Sequence, residues 1–191
     1  MAKSALAFRF DDEAESAQKA AMKTAAKKIV QVSRETKANV RNLITQAIKD
    51  GIPPNKIAKQ IGPLVGLTRA QGAAVRKYRR ALEAQGLPAE KIDKAADKYA
   101  AKLLKYRSNN IARTEILDAL NDGQNEAWLQ AQDEGLLSKN ATKEILLSPE
   151  ACDVCVSIAE ESGAVPIDED FSEPGPPFHP HCGCTIVIAT P

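Results

Sequence analysis

Apolar residues return at three- and four-residue steps between Asp11 and Lys49, at Ile29, Val32, Val40, Leu43, Ile44 and Ile48. That spacing lines one face of a helix and predicts an amphipathic helix, continuous or broken in two. Asp50-Gly51 and Pro53-Pro54 end it, because proline removes a backbone donor and glycine favours the helix stop. A short helical turn is expected over Asn55 to Ile61. Thr68 with Gln71 three residues on forms a capping-box pattern that opens a helix running to about Gln85, where Gly86 supplies the stop. Pro88 suits a first helical turn. From Ala89 to about Glu134 there is no proline and a single glycine, Gly123. This stretch reads as one long helix or two parted near Ser108-Asn109-Asn110, burying Ile92, Tyr99, Leu103, Ile111, Leu117, Leu120 and Trp128. Beyond Gly135 the pattern changes. Glu144 to Leu147 and the β-branched run Thr185 to Ile188 are short enough for strands.

Composition sharpens that picture. Aromatics are only 4% of the 191 residues and alanine supplies much of the apolar count, as expected of a chain rich in good helix formers. Seven of the 11 prolines fall in the last 44 residues, which places a boundary near Ser148. The expected fold is mainly α, with a small α+β C-terminal module of short strands: a helical region over 1–147 and the module over 148–191. Charge divides at the same point. All 26 Lys and Arg precede residue 148, whereas 148–191 holds 8 of the 25 acids, so the two parts face different surroundings or each other. No run of about 18 apolar residues predicts a membrane helix. The N-terminus reaches acidic residues before it builds a secretory apolar stretch, so synthesis in a reducing cytoplasm is expected.

In that compartment four clustered cysteines are more often metal ligands than disulfide partners. The pattern is Cys152-Asp-Val-Cys155, then His179-Pro-His-Cys182-Gly-Cys184. Two donors separated by two residues can point at one ion from a tight turn, and both Cys152/Cys155 and His179/Cys182 have that spacing. The expected ligands of a structural zinc ion (Zn2+) are therefore Cys152, Cys155, His179 and Cys182. Cys184 is the alternative thiolate, and His181 is a further candidate imidazole. Buried free thiols, a disulfide and a CxxC redox motif are the competing readings. The redox reading is weakened because neither a βαβ pattern nor a helix N-terminus is evident at Cys152. The segment is poor in apolar residues, and coordination would supply the missing stabilisation.

No catalytic role is expected. Neither His-x-Glu with Pro-Cys-x-x-Cys nor His-Glu-x-x-His occurs, and enough protein donors are present to close the site. Arg76-Lys77-Tyr78-Arg79-Arg80 could contact phosphates, but on a helix it spreads around most of the circumference and reads first as a solvated face. Arg113-Thr114-Glu115 reads as a charge pair anchoring the long helix.

The order Asn110-Ile111-Ala112-Arg113-Thr114-Glu115, Asn121, Gly123, Cys152-x-x-Cys155 and Pro176-Pro177-Phe178-His179-Pro180-His181-Cys182-Gly183-Cys184 resembles the phage head morphogenesis proteins, the minor head proteins similar to the F protein of phage Mu. The resemblance covers about residues 35 to 189, most specifically the last 40. Gly183 stands where the family usually has arginine. The resemblance implies a virion component at the portal vertex, present in several copies, that assists head assembly or DNA packaging and ejection. Its implied partners are the portal protein, and beyond it the major capsid protein and packaged DNA. A zinc-containing nucleic-acid-binding module is the alternative, suggested by the basic helical part.

Overall fold

The computed structural model describes residues 29–189, which fold into five helices and a three-stranded sheet. The fold is mainly helical with a small antiparallel sheet near the C-terminus, as the sequence predicts. None of the helices is long and apolar enough to cross a membrane. The described residues divide into two compact units, 29–116 and 117–189, and the division falls within a helix. The boundary expected near Ser148 falls inside the second unit.

In the first unit, α1 spans Arg34–Lys49, with Ser33 as N-cap accepting a hydrogen bond from the Thr36 amide at 3.1 Å. Most of the predicted stretch before it lies outside the described residues, and the part seen, Ile29 to Ser33, is not helical. Gln31 adopts a positive φ of 57°, and its side-chain oxygen accepts from the Arg69 amide at 3.0 Å. Arg107 Nη2 donates to the Val30 carbonyl at 2.8 Å. The periodicity that joined Ile29 and Val32 to the helix is thus coincidental, although Ile29 is buried.

Helix α2, Pro54–Val65, is longer than the predicted turn and carries Pro63 within it. A Cβ built on Gly62 would lie 3.6 Å from Ser108 Oγ and 3.9 Å from Leu104 Cγ, which is ordinary van der Waals contact, so α2 lies close to these side chains without requiring glycine there. Helix α3, Arg69–Ala84, begins at Thr68 with both halves of the capping box formed. Helix α4 is continuous over Ala89–Asp133. The polar run at its middle does not break it, because Ser108 Oγ and Asn109 Nδ2 donate back to the Lys105 carbonyl at 3.2 and 2.8 Å. Val40, Ile44 and Ile61 are fully buried, each contributing about 1.5–3 kcal/mol.

Of the positions predicted to be buried along α4, Ile92 and Trp128 are, while Tyr99, Leu103, Ile111, Leu117 and Leu120 are half-buried. Ala96, Ala112, Ala119, Ala127 and Ala131 fill more of its inner face.

In the second unit, β1 spans Thr142–Leu146, β2 Val165–Pro166 and β3 Thr185–Ile188, in the order β2-β1-β3. Strands β1 and β3 pair antiparallel, from Lys143 opposite Ile188 to Leu146 opposite Thr185. Between β1 and β2 lies α5, Asp153–Ser162. Neither α5 nor β2 was expected. The sheet and α5 share a core of Trp128, Ile145, Ile167, Phe171 and Ile186 with three cysteines, Cys155, Cys182 and Cys184.

Candidate metal centre

The site grows from two short stretches of backbone. Cys152 is the N-cap of α5 and Cys155 lies in its first turn, a three-residue step that places both on one helix face. Their sulfurs are 3.7 Å apart. The facing stretch turns back at His179 to Cys182, closed by the Cys182 amide on the His179 carbonyl at 3.0 Å, with His181 at a positive φ of 66°. This turn carries His179 Nε2 to 3.3 Å from Cys152 Sγ and 3.1 Å from Cys155 Sγ. It also brings Cys182 Sγ to 3.8 Å from Cys155 Sγ. Cys184 enters from the lead-in to β3, fully buried.

Two trios result, Cys152 with Cys155 and His179, and Cys155 with Cys182 and Cys184, each with its donor atoms within 4.8 Å of one another. Cys155 belongs to both. The five soft and borderline donors of this cluster could hold a metal ion. His181 is exposed and stands outside both trios.

The ring of His179 is oriented for that role. Its Nδ1 lies 2.9 Å from the Pro180 carbonyl. A carbonyl only accepts, so Nδ1 carries a proton and Nε2 is the nitrogen left to face the sulfurs. The same carbonyl favours the charged ring, as do the Cys182 and Cys152 sulfurs, and together they outweigh burial to raise the His179 pKa.

The thiols differ. Backbone amides at the start of α5, that of Cys155 first, lower the Cys152 pKa. Burial is the main influence pushing Cys155 up, reinforced by the neighbouring thiols. At Cys182 burial acts upward, but the Cys184 and Phe178 amides with the adjacent thiols carry the balance downward. All four cysteines are free, and the 3.7 Å and 3.8 Å contacts are far longer than a sulfur–sulfur bond of about 2.05 Å.

One expectation needs correcting. A helix N-terminus does exist at Cys152, so its absence cannot be held against a redox CxxC pair. The argument for a metal rests instead on His179, which converges on both sulfurs, and on Cys182, which approaches that of Cys155.

Residues outside the motif hold the cluster in place. Asn121 of α4 donates through Nδ2 to the Pro176 carbonyl at 2.7 Å and accepts through Oδ1 from Thr185 Oγ1 at 2.6 Å. It thereby fixes both ends of the segment that carries His179, Cys182 and Cys184. Gln124 Nε2 donates to the Ile186 carbonyl at 3.3 Å. Lys143, inward-facing on β1 and 5% exposed, donates to Asn125 Oδ1 and to the Ile167 carbonyl, both at 2.9 Å. Its ammonium stands 5.3 Å from the Phe171 ring centre. Burial lowers the Lys143 pKa, opposed by Asp170, Asp168 and Asp122. No sequence signal marked Lys143, since one lysine within a strand pattern reads as solvent-facing.

No family model, curated protein or solved structure matches the chain.

Proposed function

We propose that the cluster binds one structural zinc ion and that the chain is a minor head protein of a tailed phage, acting at the portal vertex in head assembly or in DNA packaging and ejection. Distances support the zinc reading. Thiolates about 2.3 Å from a tetrahedral ion stand about 3.8 Å apart, and the two sulfur–sulfur contacts measure 3.7 and 3.8 Å. The matching sulfur–nitrogen edge is about 3.5 Å. The observed 3.3 and 3.1 Å need a ring shift of about 0.2–0.4 Å, and Cys182, which groups with Cys155 and Cys184 rather than with Cys152 and His179, has to close on that side to complete the four. Cys152, Cys155, His179 and Cys182 form the proposed ligand set, with Cys184 the alternative thiolate. Four protein donors leave no position for a reactive water, so the role is structural and not catalytic.

The observation that carries the head-protein reading is that residues bearing the resemblance, scattered between Asn121 and Cys184, belong to one bonded unit. Asn121 grips Pro176 and reaches Thr185, the residue after Cys184, while Cys152 and Cys155 meet His179 and Cys182. A motif order that also closes in space supports an inherited module over a chance match.

The apolar face of α1 is not a docking surface. Val40 and Ile44 are fully buried in their own unit and are not available to a partner. Co-expressing the full chain with its cognate portal protein should give a complex that survives moderate salt through size exclusion. Separate elution of the two folded proteins would sink the portal assignment and leave the zinc site standing.

A further inference from the structure

The unit over 29–116 carries a surface to which the head-protein reading assigns no residues. An open groove of about 600 Å³ runs between α3 and α4, walled by Tyr78, Tyr99, Lys98, Lys102, Lys105 and two alanines. The three lysines fall at steps of four and three residues, which stacks them on one face of α4 about a turn apart. Among the described residues none of the three takes part in an ion pair. Of the nearby acids, Asp93 is bound by Arg79, whose Nε also lies 3.5 Å from Glu83, while Asp97, beside Lys98 in sequence, makes no ion pair among the described residues. Between Arg69 and Ile116 there are twelve Lys and Arg against five Asp and Glu, so the field around the groove is positive. The Tyr78 ring rests against that of Tyr99, centroids 5.0 Å apart and tilted by 56°, yet remains 39% exposed.

We propose that this groove binds a single strand of nucleic acid, with Lys98, Lys102 and Lys105 along its phosphates and Tyr78 presenting a stacking face to a base. A row of unpaired cations beside a braced, exposed aromatic is the combination that sequence-tolerant strand binding uses. An acidic peptide would use the lysines but not the ring. The basic run on α3 is accordingly more than a solvated face: Arg79 is consumed in ion pairs, Tyr78 lines the groove, and Arg76, Lys77 and Arg80 add to the surrounding positive field.

The test is fluorescence anisotropy of the full chain with a labelled mixed-sequence single-stranded DNA and the same sequence as duplex, over a salt series. The single strand should bind more tightly. Replacing Lys98, Lys102 and Lys105 together by Ala should weaken it at least about tenfold and flatten the salt slope by about two, at roughly 0.7 per lost phosphate contact. Tyr78→Ala should cost roughly tenfold with the salt slope unchanged. A charge-matched control, replacing the exposed Lys49, Lys56 and Lys59 by Ala, should stay close to the parent. Equal losses in the control would reduce the effect to diffuse charge and overturn the groove. Tighter duplex binding, displacement of the strand by polyglutamate at equal charge, or indifference to Tyr78→Ala would overturn the strand-and-stacking assignment. Circular dichroism of each variant keeps misfolding apart from these outcomes.

Discussion

Cys155 is the residue on which the metal site turns, because it alone belongs to both donor trios. Cys155→Ser should therefore lose zinc whichever trio dominates, while Cys184→Ser should keep one ion per chain if Cys152, Cys155, His179 and Cys182 are the ligands. Metal content of the two purified variants decides it. A Cys184→Ser protein without zinc, beside a Cys152→Ser protein that retains it, would move the site to the buried thiol trio. Acidity enters through the same atoms. Burial raises the Cys155 pKa, so in the metal-free protein this thiol stays protonated through neutral pH and must release its proton to bind zinc. Affinity should consequently rise with pH, by at least about tenfold between about pH 6 and pH 8. A pH-independent competition titration against a chelator would contradict thiolate ligation by Cys155.

At the scale of the element, helices were the most legible part of the sequence, and the α3 capping box and strand β3 stand where their signals put them. The misreadings have physical sources. Ser108, Asn109 and Asn110 resemble a helix break, but side-chain bonds back to Lys105 absorb the polar groups of Ser108 and Asn109. Helix α5 was hidden because its residues were read as metal knuckle and acidic surface, and its cap is a cysteine, outside the usual capping residues. Alanines at close packing positions carry little periodic signal, so the α4 core was read from its larger side chains. The α1 stripe lies in the core of its own unit. Val40→Asp and Ile44→Asp test that placement. Each buries an unpaired carboxylate, which should destabilise the unit over 29–116 by more than about 4 kcal/mol. Lost helical ellipticity or a collapsed thermal transition would report it. Folded variants with unaltered stability would contradict the burial of these positions.

For the whole molecule, the chief consequence is where the division falls. Composition and charge both change near Ser148, yet the compact units part between Ile116 and Leu117, inside α4. Local composition records proline and charge but not that Asn121, Gln124 and Trp128 serve the sheet and the cysteine cluster. The candidate metal site therefore has a supporting frame of helix and sheet, more than the 44 terminal residues would offer alone. With three cysteines within its core cluster, that unit would draw stabilisation from coordination. The most direct test is elemental analysis of the full chain, purified natively with no added metal. One zinc per chain, with the four thiols unreactive until the ion is chelated, is the predicted result. A folded protein free of zinc, with all four thiols titrating at once, would contradict it.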